Sequence, residues 1–527
     1  MKVGAERQRR WGYALWLLAI IGFAALHAWH LRADFPNHSP WIFDWAKYTD
    51  EGWYGNAAIR AHLFGNWRLP GDNDTAVIFP VWPFVEWVLF CFTGVSVEAA
   101  RGLAVACFFV SLGLSYLLLR SRGTRWMALL GVTLLVTSPF LYAFGRLAIL
   151  EPLEITLALV ALNLAVRLKD ARRPVRASLV IGAIFALTVL TKASAFFLAP
   201  ALLWAMLQPL WSRHRLALRC ALAGACTAAA GYGLWMALIF RFGVFGDYKY
   251  YVASNRYPIP AERFWQVAAF WWSFHGLLWV DHSLVWLAGA IALGAVIAWP
   301  TAWARSLWRN PVFGASLLAI AGFVMFMTVR DHPQPRYCAV PAVFLFFVVA
   351  LGLEALIAQP GWRRAAGWIA GAVALGAVGV HAAQTIRYAT HPDYTFVNAA
   401  TQLAQYIDAH PNGNRLLLAT SGDEITLITR MPAMCDELGS EDLATRIARY
   451  QPGWYASWND LDPAFLEAIH TRYSLQQVAS YSAFDHPDRN LLVLFKLHPL
   501  PNGEERDPRD PKLADVLPDD KIEVPVE

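Results

Sequence analysis

Apolar runs about as long as a bilayer is thick recur through most of this chain, and they leave little choice of fold. A helix that crosses the hydrocarbon core needs ~20 apolar residues. Runs of that kind lie near 11–31, 97–119, 126–143, 150–167, 177–191, 193–210, 217–240, 283–300, 312–329, 336–357 and 365–386. Lipid offers no partner to a backbone N–H or C=O, so each run is expected to be a helix that pairs its own backbone. Composition agrees: 57% of the 527 residues are hydrophobic and 16% charged, where soluble domains have roughly 45–50% and about 25%. Residues 11 to about 387 carry nearly all of that excess. The net charge of +5 sits in short loops, so it informs topology and gives no sign of a nucleic-acid partner.

Two further apolar stretches, 77–93 and 264–280, are interrupted by Pro80, Pro83 and Glu86 in the first and by Gln266, Ser273 and His275 in the second. Short cytoplasmic loops are rich in Lys and Arg. With the basic N-terminus inside and neither stretch crossing, the loops at Arg120–Arg125, Lys169–Arg176, Arg213–Arg219, Arg305–Arg309 and Arg363–Arg364 all fall inside. If 77–93 crossed, the first three would flip. Both stretches are therefore read as interfacial or re-entrant, giving eleven spans; thirteen is the alternative. Either odd number places the C-terminal part outside, along with the segments 32–96, 144–151, 241–282 and 330–336. The run Trp11–Ala28 lacks a small-residue cleavage site and reads as a retained anchor. The expected location is a bacterial inner (plasma) membrane.

Residues 388–500 change character and alternate helix and strand patterns: a helix over 399–410, a strand over 415–420, a helix over 463–472 and a strand over 491–496. They predict a small α/β extracytoplasmic domain. The tail from Pro501 is rich in Pro, Asp and Glu and reads as disordered. Six cysteines show no metal-ligand or disulfide spacing, so no zinc site and no disulfide framework are expected.

Chemistry is sought on the outer segments. Asp50 and Glu51 stand together directly after the first run. Adjacent carboxylates at a membrane surface are costly beside lipid, and one could serve as a general base on an acceptor hydroxyl. An acidic cap on a surface helix accounts for the pair equally well. Arg60 lies further along the same stretch, and Arg101 near the outer end of its span. The turn Gly145–Pro152 carries Arg146 and Glu151, which form either a local ion pair or a phosphate-orienting set. Lys192 ends two apolar helices, and Arg330 and Arg336 share another outer turn. A snorkelling lysine is the plain reading of Lys192. Convergent cations would suit a phosphate, which Arg binds through charge-assisted, bidentate hydrogen bonds. Glu86 is either an interfacial side chain or a substrate contact. Of the 25 tryptophans, many crowd the two large outer segments, where an aromatic belt explains most of them and a few could stack on sugar.

In their order and topological side these motifs resemble the GT-C membrane glycosyltransferases that use polyprenyl-phosphate sugars, the protein O-mannosyltransferases and the aminoarabinose transferase. The resemblance covers roughly residues 11–386. It rests on Asp50-Glu51 followed by Tyr54, on Pro80, Pro83, Gly94 and Arg101, on Arg146 with Glu151, on Leu190-Thr191-Lys192, and on Arg336-Tyr337. It implies a GT-C-like α-helical polytopic fold and inverting transfer of a sugar to an envelope glycan, lipid or protein acceptor. Asp50 would be the base and Glu51 its helper. Arg101, Arg146, Lys192 and Arg336 would hold the leaving phosphate. Tyr54, Arg60, Glu86, Glu151 and Tyr337 would position substrate. No cofactor is implied, and a divalent metal stays open. Where the aminoarabinose enzyme has Lys-Pro-Pro, this chain has Ile78–Pro83, which argues against assigning that enzyme's donor or acceptor. A flippase for lipid-linked glycan is the alternative from another class. It predicts paired broken helices in two related halves, and neither internal symmetry nor a chain of mid-span charges is present in the sequence.

Overall fold

A computed structural model describes residues 2–36, 39–41, 44–256, 260, 262–267, 281–329, 334–459, 461–486 and 489–500. The expected tail from 501, the turn 330–333 with Arg330, and most of 264–280 lie outside the described residues. The chain forms two compact units. One, the bundle unit, comprises Met1–Leu31, Gly102–Phe242 and Ser254–His391; the other, the sheet unit, comprises Arg32–Arg101, Gly243–Ala253 and the residues from Pro392 onward.

The bundle unit is helical throughout its ordered elements. Among the described residues, seven helices are long and apolar enough to cross a membrane, or eight if the bent pair His282–Ile297 and Ala302–Trp308 counts as one. Helix Ala339–Ile357 lies at the core. Its apolar residues run all round the axis, and every residue from Ala339 to Leu353 is buried, as expected of a helix with protein on all sides. Helices Pro174–Thr191 and His214–Arg241 pack so closely that a Cβ on Gly182 would lie 2.2 Å from the Gly224 carbonyl oxygen. Small residues permit such approach where apolar surface alone gives helices little reason to associate in lipid.

Three expected spans are shorter than anticipated. The first run forms the apolar part, Trp11–His27, of helix Lys2–His27. The stretch 126–143 is two helices, Arg125–Thr137 and Pro139–Phe144. Ser138 breaks it by adopting an extended conformation and accepting the Leu141 N–H, and Pro139 has no N–H with which to continue the first helix. The third is Leu150–Ala165. The stretch 77–93 holds a helix of 13 residues, Val81–Thr93.

The sheet unit is built on five strands in the order β2-β1-β3-β5-β4: β1 Leu417–Ala419, β2 Ala433–Met434, β3 Trp454–Trp458, β4 Tyr473–Ser482 and β5 Leu491–Pro499. Strands β1, β2 and β3 are parallel, whereas β5 runs antiparallel to both β3 and β4. The sequence boundary at 387/388 assigns 32–96 to the membrane part, but in the structure this segment packs with the sheet. Tyr48 is a core residue among Phe396, Leu403, Trp454 and Phe484 on one face. Leu69 packs on the other face with Leu418, Tyr455 and Phe495. Helix Phe245–Ser254 joins through Tyr251, whose hydroxyl accepts the Asp74 N–H at 2.6 Å. The loop's aromatic residues had suggested a membrane belt; several of them instead fill a protein core.

Candidate active site

The sheet unit holds the acidic motif. Helix Asp50–Phe64 begins at Asp50 and stops at Gly65, whose φ of 75° is left-handed. A short 3-10 turn, Trp45–Lys47, precedes it and is capped by Asp44. Lys47 and Tyr48 fix this entrance to the far end of the chain. The buried Lys47 ammonium donates to both oxygens of Asp485 at 2.7 Å, and the Tyr48 hydroxyl donates to the same carboxylate at 2.7 Å. Burying a lysine is tolerable only with such a partner.

Asp50 and Glu51 are buried in the first turn of the helix. Thr49 donates its hydroxyl to Asp50 Oδ1 at 3.1 Å. Glu51 is clamped by Arg101, with Nε to Oε1 at 2.8 Å and Nη2 to Oε2 at 2.6 Å, while Nη1 donates to the Ala33 carbonyl at 2.5 Å. The fork matches a carboxylate in two parallel bonds. Arg101, expected on a phosphate, thus spends its guanidinium on Glu51. Glu86 is fully buried and meets Gly55, where an added Cβ would lie 2.5 Å from Oε2. Neither of its oxygens reaches hydrogen-bond geometry. Burial first, then the charge of Glu51, pushes its carboxyl well above the usual range. Tyr54 is half-buried, with its ring edge-on to Phe79 at 6.1 Å.

The C-terminal sequence supplies acids that were not anticipated. Helix Gly422–Thr429 follows β1 at its carboxyl end and brings Asp423 and Glu424 to helix Asp50–Phe64. The contact is so close that a Cβ on Gly52 would lie 2.2 Å from the Asp423 carbonyl carbon. Gly52 donates its N–H to Glu424 Oε2 at 2.7 Å. Arg60, expected to position substrate, bonds Asp72 at 3.0 Å, Asp423 at 3.1 Å and the Ala433 carbonyl at 2.9 Å. Arg446 meets Asp72 from the other side at 2.8 Å. Burial raises Asp72 to about 6 against the pull of Arg60. Burial likewise raises Asp436 to about 7 and lifts Glu437, which also feels Asp50. The available signal was Ser421-Gly-Asp-Glu424 directly after a strand, since ligand-facing groups gather beyond the carboxyl ends of parallel strands.

The bundle unit holds the remaining candidates. Lys192 forms an ion pair with Glu151 and lies 4.5 Å from the Tyr337 ring centroid. Arg336 lies over the same ring at 5.2 Å. Glu154, one turn after Glu151, accepts from Ser194 Oγ at 3.4 Å and is fully buried. The structure therefore brings Glu151, Lys192, Arg336 and Tyr337 together, with Glu154 as an unforeseen neighbour. Arg146 stands apart from Glu151's ion pair. It hydrogen-bonds the Tyr142 hydroxyl and donates to the carbonyls of Trp29 at 2.8 Å and His30 at 2.6 Å.

Residues 75–236 match the family model for dolichyl-phosphate-mannose-protein mannosyltransferases. Among solved structures, ArnT from Cupriavidus metallidurans bound to undecaprenyl phosphate aligns at TM-score 0.56 and 14% identity over 93% of this chain and 99% of that one. Its apo state aligns at TM-score 0.56 and 16% identity over 92% and 98%. The chain has the GT-C glycosyltransferase fold. The archaeal oligosaccharyltransferase AglB from Archaeoglobus fulgidus, in complex with an inhibitory peptide and a dolichol-phosphate, aligns at TM-score 0.53 and 12% identity over 93% of this chain and 75% of that one. No curated protein matches in a sequence search. The chain is thus similar to mannosyltransferases over residues 75–236 and shares the fold of multi-pass membrane glycosyltransferases.

Proposed function

We propose that the protein is an inverting glycosyltransferase that moves a sugar from a polyprenyl-phosphate carrier to a lipid, glycan or protein acceptor on the outer face of a bacterial inner membrane. Eleven spans, an inside N-terminus and an outside sheet unit complete this reading, supported by the distribution of Lys and Arg between loops. The observation that carries the chemistry is the placing of two adjacent buried carboxylates in the first turn of one helix. Glu51 is matched by Arg101 through two bonds, and Asp50 stands beside it, its Oδ1 accepting from the Thr49 hydroxyl. Asp50 removes the proton from the acceptor hydroxyl or amine as that atom bonds to the sugar's anomeric carbon. The bond from that carbon to the phosphate oxygen breaks on the opposite side, and the electron pair leaves with polyprenyl phosphate. Lys192, Arg336 and Arg146 hold that phosphate, while Arg101 holds Glu51 in place. Tyr54, Glu86, Glu151 and Tyr337 shape the substrate surroundings. A metal is not needed to carry the leaving charge if these cations do so.

The test uses membranes containing wild type or Asp50→Asn and a panel of radiolabelled undecaprenyl-phosphate sugars. Asp50→Asn is expected to lower transfer by about a hundredfold or more at equal protein level, the usual contribution of a positioned base. Equal activity in the variant removes Asp50 from the mechanism. Movement of labelled lipid between leaflets without sugar release would replace transfer by transport.

A further inference from the structure

The helix that carries Asp50 and Glu51 starts without a side-chain cap of its own. The first N–H groups of a helix have no partner inside it, and a Ser, Thr, Asp or Asn at the cap commonly accepts from one. Thr49 occupies that position but makes no cap bond. Its hydroxyl donates to the Trp45 carbonyl at 3.2 Å and to Asp50. The Gly52 N–H finds its acceptor 372 residues further along the chain, in Glu424 Oε2. Glu424 is itself fully buried, and the close approach at Gly52 leaves its helix no room to slide.

We propose that Glu424 is a positioning residue for sugar transfer, capping the Asp50 helix in trans so that the Asp50 carboxylate is not drawn back onto the helix end. A carboxylate at the start of a helix otherwise competes for those same N–H groups. The arrangement makes the C-terminal sheet part of the catalytic apparatus, because β1 and the turn at Ser421-Gly422 aim the cap. The inference rests on Asp50 being the base proposed above.

The experiment uses full-length protein in detergent, as wild type, Glu424→Gln and Glu424→Ala. Gln keeps an acceptor oxygen at the same reach; Ala has none. Hydrogen exchange in the peptide spanning 48–56 is expected to accelerate in Glu424→Ala alone, while β1 and β3 stay protected. Transfer is read with tritiated mannose, glucose or galactose on undecaprenyl phosphate, using whichever the wild type consumes. Glu424→Ala should lose about tenfold in kcat with donor KM little changed, as for a slightly misplaced catalytic group, and Glu424→Gln should recover most of that loss. Should Glu424→Ala also expose the strands, Glu424→Asp, whose carboxylate falls one methylene short of the Gly52 N–H, replaces it as the variant that lacks the acceptor at that position. Unchanged exchange in the variant that lacks the acceptor overturns the cap. Equal loss of transfer in the Gln and Ala variants overturns the positioning role in favour of a need for charge. A wild type that transfers none of the three sugars overturns the transfer reading and the positioning role with it, while the exchange data still decide the cap.

Discussion

The sheet unit and the bundle unit hold their arginines against different groups. In the sheet unit Arg60, Arg101, Arg446 and Lys47 meet carboxylates, at 3.0 Å to Asp72, 2.6 Å to Glu51, 2.8 Å to Asp72 and 2.7 Å to Asp485. Their charge is used inside the fold. In the bundle unit Arg146 lies over the Tyr142 ring and donates to main-chain carbonyls, and Arg336 lies over Tyr337. Rings and carbonyls orient a cation without cancelling its formal charge. Lys192 of the bundle unit is in turn ion-paired with Glu151, so the difference lies in how the arginines are held: against carboxylates in one unit, over aromatic rings in the other.

The comparison breaks most visibly at Arg60. Arg60→Leu would leave Asp72 and Asp423 buried with one cation fewer, and removing one partner of a buried pair costs about 3–5 kcal/mol. Thermal unfolding of the full chain in detergent should shift down, with exchange rising across the sheet. If transfer dies while the sheet stays protected, Arg60 touches substrate after all. Arg336→Gln tests the other side. It should raise donor KM about tenfold to a hundredfold, the worth of a charge-assisted hydrogen bond, and leave helix Ala339–Ile357 protected. A collapse of that helix instead would make Arg336 structural and erase the contrast.

A smaller effect concerns pH. Asp34 accepts the Phe396 N–H at 2.7 Å and the Val397 N–H at 3.3 Å, tying the loop to helix Thr395–Ala409. Burial nevertheless raises its carboxyl to about 7, with Arg101 the main opposing pull. The folded chain holds a proton that an unfolded chain releases near pH ~3.9. Its contribution to stability is thus fully present below that value and lost as pH rises through about 7. The unfolding midpoint should fall between about pH 5 and about pH 8, and Asp34→Asn should flatten part of that fall. An unaltered slope would mean that the carboxylate is stabilised by the two N–H groups more than burial penalises it.

Much of the membrane part was legible because lipid imposes a one-dimensional rule: a run is long and apolar or it is not. The run at 336–357 emerges as Pro335–Ile357 within the structure, and 217–240 as helix His214–Arg241. The continuous reading of 126–143 failed at Ser138-Pro139, where local capping outweighs apolar length. In the C-terminal part, strands β1 and β5 and the helices Thr395–Ala409 and Pro463–His470 were visible in pattern. Helix Gly422–Thr429 was not, because its Ser-Gly entry reads equally as the end of a strand. The Glu151–Lys192–Tyr337 grouping joins motifs already singled out, but the pairing itself needed coordinates.

The sequence by itself determined that the chain is a polytopic helical membrane protein and which acids and cations could carry chemistry, since hydropathy and residue type are properties of the chain alone. Only the tertiary structure decided who neutralises whom. Arg101 answers Glu51 from 50 residues away, and Glu424 reaches Gly52 across 372. Such contacts depend on where packing carries each backbone, and charge interactions at a few ångströms leave no trace in spacing along the chain.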